Sequence, residues 1–409
     1  MIRINGAGRL ALLFASLSVL MAMPARGQGP TSGSGGSSGP SQANGMPRDT
    51  PPPGLGQPGP GLPPAPEPGS ALPNGSLEAP PPPLPPIQPA PASPSQPADT
   101  FGPAVGGFSP FMNPVVGHAP VRADYRVIWF PAEPVVGQSS NLGYLQQDFM
   151  LAFPVWQNGT TDEWSVSANL RNETFHTHAQ LPDTRQPFPE DLWNIRFGTT
   201  YRHLFDNGWI AGGTVSFGSA SDKPFHSIDE LTAGVNAFLR IPQGEHNAWL
   251  LSLSYSPVSE LPYPIPGVAY LWQPSENFRA NIGLPFQVMW RPIEDLTFDV
   301  SYMLLTTFHA RATYRLCHPI RIYVAYATEN EAYLLADRVS SNDRFFNVDQ
   351  RLTAGIQYVL GPRASIDLAS GYIFDHHFFE GKNITSGTNF NRLDVGDEPY
   401  VSLQFRVRW

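Results

Sequence analysis

From residue 121 onward, apolar and polar side chains alternate with a period of two in one run after another. That period puts successive side chains on opposite faces of a β-strand. Trp164, Val166, Ala168 and Leu170 alternate with Ser165, Ser167, Asn169 and Arg171. Phe308, Ala310, Ala312 and Tyr314 alternate with His309, Arg311, Thr313 and Arg315, and no helical period competes. The final stretch, YVSLQFRVRW, sets Val401, Leu403, Phe405, Val407 and Trp409 against Ser402, Gln404, Arg406 and Arg408. A half-buried soluble sheet and a membrane barrel share this pattern, so one strand cannot separate them.

The connections do. The alternation predicts strands near 121–130, 142–153, 163–174, 192–204, 209–219, 230–241, 248–257, 277–290, 296–304, 307–316, 320–329, 348–360, 364–376 and 399–409. Every second link is short and rich in Asn, Gly or Pro, as at Gln157 to Thr160, Asp206 to Gly208, Pro242 to Glu245 and Gly361 to Arg363, which suits hairpins. The links between them (131–141, 175–191, 220–229, 258–276, 330–347, 377–398) are long, with only Leu305-Thr306 breaking the rule. Short turns at one end and long loops at the other describe an all-β, antiparallel, up-and-down transmembrane β-barrel over residues 119–409. We expect about 14 strands, within a range of 12 to 16, because strand ends read from sequence shift by several residues. An even number puts both termini on the short-turn, periplasmic side.

The N-terminal part fits export. Arg3 and Arg9 precede the apolar run Leu10 to Met23, and Ala25-Arg26-Gly27 offers small residues for cleavage, so residues 1–27 read as a signal peptide. Residues 28–118 are Gly/Ser-rich and then Pro-rich, with PPPLPPIQP at 81–89. Proline removes backbone donors and favours polyproline II, so this segment reads as a disordered periplasmic spacer whose partner is unknown. Cys317 is the only cysteine, which rules out an intramolecular disulfide and reads as a turn residue. A net charge of −9 gives no support for nucleic-acid binding.

Three stretches, GSASDKPFHS (218–227), PIPGVAYLWQPSENFRANIGLPF (264–286) and GYIFDHHFF (371–379), resemble an uncharacterised family of bacterial outer-membrane β-barrel proteins, a domain of unknown function frequent in planctomycete-type bacteria. The resemblance implies a barrel in the outer membrane and no established activity. Within it, Ser221 to Phe225 falls in an external loop, and Pro266 to Trp272 reads as a loop segment folded over or into the mouth. The closing strand likewise resembles the assembly signal of bacterial outer-membrane proteins. That implies a role for Phe405 and Trp409 in engaging the barrel-assembly machinery and outer-membrane lipid, with Trp409 where the signal usually has Phe.

No enzyme is expected. His176, His178, His376 and His377 fall at external rims without a serine or carboxylate at a recognisable spacing, so they read as solvated loop histidines; no metal or cofactor is expected. The inward positions are rich in arginine: Arg122, Arg126, Arg171, Arg196, Arg202, Arg240, Arg279, Arg311, Arg315, Arg321, Arg351, Arg406 and Arg408. Inward acids reduce chiefly to Asp124, Asp299, Asp367 and Asp375. From Arg171 onward these arginines are candidate pore-lining residues of a porin-like channel for small polar or anionic solutes. The competing expectation is a structural or adhesive surface barrel, its lumen plugged and its Pro-rich segment a tether.

Overall fold

The computed structural model describes residues 116–259, 261–303, 307–385 and 389–409. The expected signal peptide, all but the last three residues of the spacer, and Leu305-Thr306 lie outside the described residues. In chain order the strands are β1 Arg122–Pro134, β2 Asn141–Asn158, β3 Asp162–Thr177, β4 Asp191–Leu204, β5 Ile210–Ser221 and β6 Leu231–Gln243. β7 Asn247–Tyr255, β8 Ile265–Ser275, β9 Phe278–Gly283, β10 Phe286–Ile293, β11 Leu296–Met303 and β12 Thr307–Cys317 follow. The last are β13 Ile320–Tyr333, β14 Arg344–Val359, β15 Ala364–Gly381, β16 Phe390–Asp394 and β17 Glu398–Arg408.

Each strand from β1 to β15 pairs antiparallel with the next, β15 pairs with β17, and β17 pairs with β1. The sheet therefore closes on itself and leaves no edge, the condition for strands in lipid. β16 pairs only with the far end of β15 and stands outside the ring. The barrel has 16 strands rather than 14, for two separable reasons.

First, 277–290 is two strands and not one. Across the β9–β10 hairpin Phe278 faces Trp290 and Ala280 faces Val288, partners of equal parity, so the apolar period runs through the turn without a phase break. Second, Pro266 to Trp272 is not a loop but most of β8, paired with both neighbours. Its inward Ala269 and Leu271 are apolar and buried, which erased the alternation there. Each correction adds one strand, so the even count and the shared end of β1 and β17 survive.

The outer face is a belt of exposed apolar side chains, Val215, Leu251, Leu352 and Leu403 among them. Near the turn end it is ringed by Trp156, Trp164, Trp249, Trp272, Trp290 and Tyr358, each more than a third exposed. A band of this kind with an aromatic girdle matches the hydrocarbon layer and its interface. Phe405 lies on this face, opposite Tyr125 and Ile366. Trp409 exchanges two backbone hydrogen bonds with Val121, at 2.8 and 3.0 Å.

Wall height varies round the ring. β2 and β15 run to 18 residues, whereas β9 has six and β10 and β11 have eight. The loop-end rim is therefore tall over β13 to β3 and low over β9 to β11. Gly283, at φ +136°, closes the lowest part in a conformation that other residues rarely adopt.

Candidate functional site

Strand registers carry one parity round the ring and place every candidate arginine on the inward face. They also place more carboxylates there than the sequence reading counted. Arg126 faces Asp148, which faces Arg171; Glu163 faces Arg202; Ala327 faces Arg351, with Asp349 two positions away. Asp148, Glu163, Glu173 and Asp349 have the inward parity of their own strands and were legible, while Glu331 and Glu398 lie beyond the expected strand ends. Asp375 is the reverse case. It occupies a bulge at φ 55° and accepts a hydrogen bond from Gln350, whose parity is that of exposed Leu352.

These acids neutralise one side of the lumen. Asp148 holds Arg126 at 2.8 Å and Arg171 at 2.5 Å, and Arg171 reaches across the lumen from β3 to Glu331 on β13. Arg351 forks onto Asp349 with two bonds of 2.7 Å. Arg311 lies over the Tyr323 ring at 3.6 Å and 3.7 Å from Asp367, which also accepts from the Tyr323 hydroxyl at 2.6 Å. Arg406 pairs with Asp124 at 3.3 Å, Arg202 with Glu163 at 3.5 Å, and the half-exposed Arg315 with Asp295 at 2.6 Å.

The opposite wall differs in kind. Ser165, Thr200, Thr214, Asn236 and Ser254 share one row across β3 to β7, and all are partly exposed. On an inward face, exposure means open space beside them. Arg196, Arg240 and Arg279 lie on this side, the last two close enough for Arg240 to act on the charge of Arg279. Arg321 and Arg408 sit at the turn-end rim, on the neutralised side.

Two apolar clusters narrow the lumen, and the alternation gave no warning of either. At the loop end, above the tall wall, Phe130, Tyr144, Phe175, Phe345 and Phe378 pack with Phe188 of the 178–190 loop. Phe188 meets Phe378 edge-on at 5.0 Å, and Phe130 stacks on Tyr144 at 4.0 Å. The 334–343 loop crosses to β5, with Leu334 N–H donating to the Ala220 carbonyl at 2.7 Å. Arg344 donates to the Pro257 carbonyl at 2.7 Å. At the turn end, Val116 packs inside the lumen against Ile210, Phe238, Leu250 and Leu271, while Gly117 N–H donates to Glu163 at 3.0 Å. The inward apolar Ala269 and Leu271 of β8 belong to the same cluster as this strap.

The histidines divide. His176 and His178 are exposed, but His376 is buried, with Nδ1 3.0 Å from Glu398 and Nε2 3.1 Å from Asn347, and His377 is nearly so. The solvated-loop expectation fails for His376 and His377 because β15 runs on to Gly381 and carries both onto a paired strand extension. Both ring nitrogens of His376 are occupied by structural partners. Among the described residues no three metal-ligating side chains converge.

Closed pairing, an apolar belt and an aromatic girdle define an integral β-barrel of the outer membrane. No family model matches the sequence, and no curated protein does. Solved structures with a similar shape include an outer membrane channel from Pseudomonas putida F1, at 9% identity and TM-score 0.34, covering 73% of this chain and 98% of that one. Another is Pseudomonas aeruginosa OccK7, at 9% and 0.33, covering 71% and 100%. A third is the translocator domain of the autotransporter NalP from Neisseria meningitidis, at 8% and 0.27, covering 71% and 89%. At that distance no property passes from them to this chain.

Proposed function

We propose that the barrel is a porin-like channel that passes small polar and anionic solutes through a narrow, oblique conduit. The observation that carries this is the partly exposed row of hydroxyl and amide side chains from Ser165 to Ser254, facing a wall of ion pairs across open space. The Val116 strap occupies the β5–β8 side at the turn end, and the aromatic cluster occupies the β1–β3 and β14–β17 side at the loop end. What remains runs from the turn-end rim near β13–β17 past the hydroxyl row to the low wall at β9–β11. Sixteen strands give a ring wide enough for an aqueous channel even after partial filling.

Charge sets the preference. Most inward arginines are matched by carboxylates, which supports little net field on the β13–β3 side. Arg196, Arg240 and Arg279 lie along the open side, where a low-dielectric wall concentrates the field of each charge. In this reading the turn end faces the periplasm, residues 1–27 direct export, residues 28–118 are a periplasmic spacer, and Phe405 and Trp409 serve assembly. We also place the chain with the uncharacterised outer-membrane barrel family its motifs resemble.

Reversal potentials across a KCl gradient test the selectivity. We expect anion preference in the wild type, and a severalfold drop in the anion-to-cation permeability ratio for Arg240→Ser with Arg279→Ser. Arg315→Ser, which removes the exposed pair with Asp295, leaves the ratio unchanged. Cation preference in the wild type, or a ratio indifferent to the double substitution, contradicts the arginine-lined conduit. The aromatic cluster favours a second reading, a plugged barrel with a structural or adhesive role, which predicts no current at all.

A further inference from the structure

On β5 the outward positions run Val215, Phe217, Ser219 and Ser221; the first two are exposed and apolar, whereas both serines are fully buried. Gly213, lower on the same face, is in register with Tyr201, and Tyr201 with the girdle residue Trp164. At ~3.3 Å per residue and a tilt of ~40°, Ser219 stands about 15 Å above that girdle and Ser221 about 20 Å, inside an apolar band roughly 25 Å tall. A hydroxyl at that level needs cover and a hydrogen-bond partner.

The 222–230 loop supplies both. It leaves β5 at Ser221 and folds back over the outside of the wall, so that Lys223 N–H donates to the Ser221 hydroxyl at 3.1 Å and Phe225 N–H to that of Ser219 at 3.2 Å. Phe225 holds φ 60°, a conformation that bulky residues rarely take. Ser227 and Glu230 then close a capping box round the short 3₁₀ turn Ile228–Glu230, which leads into β6. The serines and Phe225 of GSASDKPFHS (218–227) thus belong to the outer face and not to the lumen.

The outer surface of the loop is apolar at its most exposed points. Ile228 is 82% exposed and Phe225 47%, and Leu231, the register partner of Ser219, is 48% exposed. Below Leu231 the outward face of β6 continues with exposed Val235, opposite Val215. The loop therefore extends the lipid belt. Lys223, His226 and Asp229 are exposed beside it, a mixture of apolar and charged groups that suits the bilayer interface. The same loop grips the mouth. Asp222 accepts from Ala336 N–H at 2.8 Å, and Arg338 donates to the Asp229 carbonyl at 2.9 Å. Both partners belong to the 334–343 loop, whose Leu334 and Leu335 pack in the aromatic cluster.

We propose that the 222–230 loop is a membrane-contact element: Phe225 and Ile228 enter the loop-end leaflet among its acyl chains, and that contact steadies the 334–343 loop across the mouth. The occupant follows from continuity with the belt, because the medium that meets Val215, Phe217 and Leu231 also meets the loop laid beside them. The proposal rests on the barrel's place in the membrane and is independent of conduction.

Spin labelling of the full-length barrel in phosphatidylcholine vesicles tests it, with Cys317 first replaced by Ser. A nitroxide at Ile228→Cys should meet oxygen in preference to a neutral nickel chelate. Its accessibility ratio should lie near that of Val235→Cys in the belt and severalfold above that of Asn342→Cys in the mouth loop. Phe225→Ser with Ile228→Ser should speed amide exchange at Leu334 and Ala336, whose N–H groups hold the mouth loop to Ala220 and Asp222, by about tenfold. Ile228→Ser alone, at a residue open to its surroundings, should act in the same direction and serves where the double variant fails to assemble. A label at 228 as open to nickel as the one at 342 overturns the contact, and exchange unchanged by the serine substitutions overturns the support. Spin–spin broadening at 228 puts a second copy on this face instead of lipid, which also overturns the proposal. A lipid-embedded label in a barrel that conducts nothing sinks the channel and leaves the loop's contact standing.

Discussion

Replacing Arg171 with Met is expected to destabilise the barrel by about 3–5 kcal/mol and, where it still assembles, to enlarge its unitary current. Arg171 joins Asp148 on its own side of the lumen to Glu331 on the other. Without it Asp148 keeps Arg126 and the Gln146 amide, and Glu331 loses its ion pair with Arg171. Breaking even a partly buried pair such as these from one side costs more than the pair contributes, because the remaining charge keeps its desolvation penalty. The same substitution removes a rod that crosses the lumen, hence the wider pore. Denaturant unfolding of barrels refolded into vesicles measures the first effect and bilayer recording the second. A variant as stable as wild type would mean that water in the lumen already screens the network.

Phe378→Ala should cost a similar amount, about 3–5 kcal/mol, by opening a hole in the loop-end cluster. The ring is fully buried and lies 5.0 to 5.8 Å from those of Phe188, Phe175 and Phe345. Its neighbours are held by separate strands and by the 178–190 loop, so they cannot all collapse into the void. We expect a lower unfolding midpoint, and noisier currents as the loop loosens over the mouth. Wild-type stability would show that the cluster is a loose cover rather than a packed core.

How much of this was legible depended on what each side chain meets. Where the lumen is wet and the outside is lipid, as along β3 to β6, alternation is clean and the strand positions follow to within a few residues. β8 vanished because Ala269 and Leu271 meet the Val116 strap, so both of its faces are apolar. β9 and β10 merged because partners of equal parity hide a hairpin from a period-two pattern. The mouth was harder still: Phe345 and Phe378 sit on strand extensions that the pattern assigned to loops, and no local signal says that a loop folds inward. Strand registers put the arginines on the inward face together with carboxylates that the sequence count passed over. Parity within β2 and β14 gives Asp148 and Asp349 the inward face, which the count of inward acids passed over, and only the strand registers and the closed ring show which arginines they meet.

The central claim is that a conduit survives between the two apolar clusters. Single-channel recording of the full chain in planar bilayers tests it most directly. The oblique conduit predicts steady, small unitary currents, with chloride carrying the larger share. A barrel that shows the heat-modifiable gel mobility of a fully folded protein, inserts into the bilayer and remains silent at every voltage would contradict it.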